Sequence, residues 1–155
     1  MVRCTLLAAT LVLLTGCIGS PPSRTQMTTM SPAELLEATR WYAVDPSYLR
    51  WGEWTPSTFK RDLRHQIVEA HPDWPQDVRE AVREGKIRPG MTAEQAQASW
   101  GPPAARRTRR TPGLVEEIWG YGRPRYGHTY SSPYSRRTRL YFRNGELDWW
   151  VLDDR

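Results

Sequence analysis

Cysteine is almost missing from this 155-residue chain: only Cys4 and Cys17 occur, which excludes a disulfide-stapled scaffold. Lysine is nearly absent too, so the 22 basic residues are almost all arginine. No long apolar run exists beyond the N-terminus, so a transmembrane bundle is excluded. The length leaves no room for two domains of ordinary size. Large apolar residues other than Trp, Tyr and Met are scarce: from Ser31 to Arg155, Leu, Ile, Val and Phe make up 19 of 125 residues, a proportion typical of disorder. Against disorder stand the aromatics and the charge balance. All eight Trp and seven Tyr lie in that stretch, and it holds 20 basic against 17 acidic residues. Low net charge and aromatic bulk support a small folded core.

The first residues, Met1 to Cys17, set the expected compartment. Arg3 is a positive n-region, and Cys4 to Leu14 is an apolar segment of 11 residues. That is shorter than the roughly 20 needed to span a bilayer, and it fits a secretory signal. The segment ends in Leu14-Thr15-Gly16-Cys17, which resembles the lipobox of bacterial lipoproteins. The resemblance implies cleavage before Cys17 and acylation of its thiol and its new amino group. Several acyl chains anchor a protein stably where one does not. Ile18 rather than Asp follows the cysteine, which in such lipoproteins implies delivery to the outer membrane, facing the periplasm. Nucleic acid is then out of reach. Residues 1–16 are read as signal peptide and 17–30 as acylated cysteine plus a flexible Ser/Thr/Pro-rich tether.

The folded part is expected from Ser31. Ser31-Pro32-Ala33-Glu34 is a capping box that starts a helix to about Ala43. Thr55 or Ser57 caps a second helix to about Ala70, with Phe59, Leu63 and Ile67 in its apolar stripe. Asp73 is the expected cap of a third, which carries Trp74, Val78, Ala81 and Val82 and stops at Gly85. Thr92 to Gln95 is another capping box, and that helix ends at Gly101-Pro102-Pro103. The period then changes to two. Leu114 to Tyr121 reads as a strand, with Trp119 and Tyr121 on one face. Thr138 to Arg143 and Glu146 to Leu152 read as a hairpin closed by Asn144-Gly145, the preferred pair for a type I′ turn. Leu140 and Phe142 share one face of the first arm; Leu147, Trp149 and Val151 share one face of the second. The expected fold is α+β, with helices on one face of a small antiparallel sheet of about three strands. Its core is expected to hold Trp119, Tyr121, Phe142 and Trp149. The expected division is a helical extension over 31–73 and an α+β domain over 74–155.

Four pieces in order carry a family resemblance: Gly90-Met91-Thr92 with Gln95, then Gly101-Pro102, then Trp119 and Tyr121, then Tyr141, Phe142, Gly145 and Leu147. Together they resemble the SmpA/OmlA lipoprotein domain, the family of the small BamE-type subunit of the outer-membrane β-barrel assembly machine. The resemblance implies a non-catalytic scaffold that binds envelope proteins, and none of the matching residues is a nucleophile, acid or metal ligand.

Charge is uneven along the chain. Ser31 to Trp100 holds nine basic and eleven acidic residues, while Gly101 to Arg155 holds eleven basic and six acidic. The run Arg106, Arg107, Arg109 and Arg110, with Arg123 and Arg125, is a candidate patch for anionic lipid headgroups or an acidic partner; its plainer reading is a solvated loop between strands. The Tyr/Gly/Arg-rich loop with Tyr126, Tyr130 and Tyr134 has paratope-like chemistry. It suits a protein and, as the alternative, a cell-wall glycan. His65, Glu69 and His71 do not have a recognised zinc spacing, so no metal is expected. No cofactor motif is present. Glu116 and Glu117, adjacent on a strand, point to opposite faces, and no nucleophile–base pair is evident, so no enzyme is expected.

Overall fold

Every described helix but the one at Gln76–Glu84 starts where a side chain satisfies an exposed N–H group of its first turn. The computed structural model describes residues 20–43, 54–121 and 138–152. Ser31 and Glu34 form a reciprocal capping box at α1 of the main helical layer, Pro32–Ala38, which tightens into a 3₁₀ turn over Thr39–Ala43. Thr55 caps α2, Pro56–Ala70. Its Phe59, Leu63 and Ile67 lie four residues apart and have no exposure. The third helix, α3, is Gln76–Glu84 and ends on the left-handed Gly85 at φ 69°. Asp73 does not cap it: Pro75 occupies that position, with no side-chain cap bond. Thr92 and Gln95 box the start of α4, Ala93–Trp100. Gly101 follows at φ +81°, and a Cβ there would sit 3.0 Å from the Tyr42 ring.

The segment expected to be a loose tether is folded over its described part. Ser23 and Gln26 form a capping box around a single helical turn, Arg24–Met27. Met27 is buried in the core, Trp54 Nε1 donates to the Pro22 carbonyl at 3.0 Å, and Arg24 pairs with Asp62 while lying over Trp54. Two methionines in a polar stretch make no period, but one of them is enough to dock a turn.

The sheet has four strands rather than three: β1 Ala105–Thr111, β2 Leu114–Tyr121, β3 Thr138–Arg143 and β4 Glu146–Leu152. They form an antiparallel meander in chain order. The additional strand is the arginine run itself. Its side chains from Arg106 onward are exposed on both faces, so it shows no apolar alternation. Asn144 at φ 51° and Gly145 at φ 90° close the β3–β4 hairpin. The Asn144 side chain also accepts from the Val115 N–H at 2.9 Å, tying the turn to β2.

One face of the sheet carries the buried Trp119, Leu140, Phe142 and Leu147. These belong to the same buried cluster as Leu35, Leu63, Val82 and Ala96, so no break in the core falls at residue 73. Trp149 is not in that cluster. The register slips between Tyr141 and Phe142: Leu147 faces Phe142, but Trp149 faces Tyr141, leaving Asp148 as the extra residue. This bulge puts Leu147 and Trp149 on opposite faces. Trp149 is 47% exposed and Val151 41%, while Trp150 packs against the core instead.

Candidate functional site

Strand alternation sorts the candidate residues before any chemistry does. Arg106 lies opposite Trp119, so it belongs to the buried face, while Arg107 and Arg109 lie opposite Ile118 and Glu116 on the other. The four arginines therefore do not form one patch. Arg106 has a structural task. Its guanidinium stacks over the Trp119 ring at 4.5 Å and pairs with Glu117 at 2.8 Å, and Glu117 accepts from Trp119 Nε1. Tyr121 is mostly buried, donates to the Gly101 carbonyl at 2.9 Å and meets Trp100 edge-on. Burial pushes its phenol above the usual range against the opposing charge of Arg106.

The open face is built in rows across the strands. Arg109, Glu116 and Arg143 stand in register across three strands, so one acidic position lies between two basic ones. The next row is Arg107, Ile118, Tyr141 and Trp149. Tyr141 and Trp149 stack face to face, with centroids 3.8 Å apart and planes 2° from parallel. Arg143 reaches Asp148 at 3.5 Å. A groove of about 450 Å³ runs over these residues. Among the described residues its lining offers guanidiniums, carboxylates, one phenol and one indole. Such a surface suits recognition of a partner with apolar and acidic groups. Tyr141, Trp149, Ile118 and Arg143 were not legible as a site. The one available signal is the Trp149-Trp150 doublet, which in any strand sends one ring to each face.

Other candidates fall differently. Cys17, Arg123, Arg125, Tyr126, Tyr130 and Tyr134 lie outside the described residues. His65 is exposed, Glu69 pairs with Arg83 at 3.0 Å, and His71 stacks on Trp74 at 4.3 Å. Among the described residues no group of three or more His, Cys, Asp or Glu is arranged to hold a metal ion. No helix among them is long and apolar enough to cross a membrane. No family model matches the chain, and neither a curated protein nor a solved structure matches it.

Proposed function

We propose that this chain is an outer-membrane-anchored periplasmic lipoprotein, held by acyl groups on Cys17, whose folded part is a non-catalytic protein-binding module. In this reading the helices cover the buried face of the sheet and leave the other face for a partner. The observation that carries it is the Tyr141–Trp149 stack, held in the open and bordered by Arg107, Arg109 and Arg143. Trp, Tyr and Arg dominate the energetics of protein interfaces because they combine large contact area with a polar or charged end. The anchor rests on the Leu14-Thr15-Gly16-Cys17 motif. The order of short motifs from Gly90 to Leu147 favours envelope proteins as partners, the barrel-assembly machine among them.

In-cell cross-linking, followed by capture of a C-terminally tagged chain from detergent-solubilised envelopes, tests the binding reading. A defined envelope protein should be enriched and should be lost in Trp149→Ala while the circular dichroism spectrum stays native. Capture that survives Trp149→Ala would refute the open face as the interface. For the anchor, Cys17→Ser should leave the outer-membrane fraction; retention there would refute lipidation at that residue.

A further inference from the structure

The two edges of the sheet are finished differently. At β4 the backbone is already engaged: the Gly90 N–H donates to the Leu147 carbonyl at 2.8 Å, and the Leu147 N–H donates to the Met91 carbonyl at 2.7 Å. Thr92 bridges Glu146 beside them. At β1, among the described residues, no strand lies further out.

The direction of β1's backbone groups follows from one hydrogen bond. The Asn144 N–H donates to the Val115 carbonyl at 2.7 Å, so Val115 turns its backbone toward β3. Backbone groups alternate along a strand. Those of Glu116, Ile118 and Gly120 therefore face β1, where Arg109, Arg107 and Ala105 stand opposite. The N–H and C=O groups of Arg106, Thr108 and Arg110 then point away from the sheet. A row of outward donors and acceptors on an exposed strand is a template for another strand.

Charge decides which strand fits. β1 has four guanidiniums along seven residues, and the adjoining β2 supplies two carboxylates, Glu116 and Glu117. A second copy pairing antiparallel about Thr108 would set Arg106 against Arg110 and Arg107 against Arg109, which is repulsive on both faces. An acidic strand would be attracted on both faces. We infer that the outer edge of β1 receives an extended acidic segment of a partner protein as a fifth strand. This rests on the reading of the domain as a protein-binding module, but it uses a different surface from the Trp149 face.

The test uses the full chain in detergent micelles and a fluorescein-labelled, end-blocked peptide of alternating Glu and Val, with a Gln-for-Glu control. The acidic peptide should bind and slow amide exchange at Arg106, Thr108 and Arg110. The Gln peptide should bind about tenfold more weakly or worse. Thr108→Pro removes an outward donor and leaves the β1–β2 ladder intact, so it should weaken binding about tenfold without moving the unfolding midpoint. If that variant does not fold, Arg109→Ser combined with Arg110→Ser answers the same question from the charge side. Equal affinity for both peptides, protection confined to other strands, or no binding overturns the edge proposal. Failure of the peptide alongside loss of envelope capture in Trp149→Ala leaves the module reading standing. Peptide binding alongside undisturbed capture in Trp149→Ala removes the face and keeps the edge.

Discussion

On one face of the sheet Trp119, Leu140, Phe142 and Leu147 are buried; on the other Tyr141 and Trp149 stack in the open beside Ile118. Both faces carry aromatic and aliphatic side chains, so composition does not separate core from surface here. Register does. A single extra residue, Asp148, sends one tryptophan outward and its neighbour inward. The charged residues follow the same division. Arg106 is committed to Glu117 and the Trp119 ring, while Arg109 and Arg143 border a groove.

The sharpest way to break this contrast is truncation on the two faces. Trp119→Ala should cost about 3–5 kcal/mol in urea-induced unfolding, because it empties a fully buried site and strips Arg106 of its platform. Met27→Ala should cost about 2–5 kcal/mol in the same measurement. No change there would mean that the N-terminal turn does not share the core. On the open face, Trp149→Ala removes a stacked partner and should cost only about 0.5–1.5 kcal/mol; a loss as large as that for Trp119 would erase the distinction between the faces.

Two finer tests address causes. Deleting Asp148 removes the bulge residue but leaves Trp149 facing Tyr141. Nuclear Overhauser contacts between those rings should persist, with a stability change of about 1 kcal/mol or less, since the exposed Arg143–Asp148 pair contributes little. Loss of those contacts would show that the bulge does not set the face. The smallest effect is electrostatic. Partial burial pushes the Asp62 carboxyl up, but hydrogen bonds from Arg61 and Arg24 outweigh it and hold the group below its ordinary range. A depressed carboxylate stabilises the fold above its unfolded pKa near ~4 and loses that contribution as pH falls through the folded value. Asp62→Asn should therefore flatten the acid limb of stability below about pH 4, read from urea midpoints between neutral and acid pH. An unchanged acid limb would assign it to other carboxylates.

Much of the helical layer was legible because its signals are local. Ser31, Thr55 and Thr92 each bond an N–H three residues on, and Phe59, Leu63 and Ile67 repeat at a helical spacing. The last hairpin was legible for the same reason: Asn144 and Gly145 have positive φ that few other pairs accept. β1 was missed because an edge strand wet on both sides has no apolar alternation. Its Arg106 faces an indole and its Arg107 an isoleucine row, yet in sequence they are the same residue twice. Trp149 was placed in the core because a strict period of two carries it there from Leu147, and no local signal marks a bulge at Asp148. The open-face site was illegible for that reason, since it exists only once the slip is known.

The docked N-terminal turn shortens the free chain available to the proposed anchor. A chain loose until Ser31 would let the body range about 50 Å from a lipid on Cys17. With the Pro22 carbonyl held by Trp54 and Ser23 closing a helical turn, the extended span from Cys17 to that first fixed point is at most about 17 Å. Under the proposed lipidation of Cys17, the body would be held within that distance of the headgroups, with its Trp54 corner nearest the anchor. A body so tethered would sample a thin layer against the membrane, and its encounters would depend on what protrudes from the bilayer beside it.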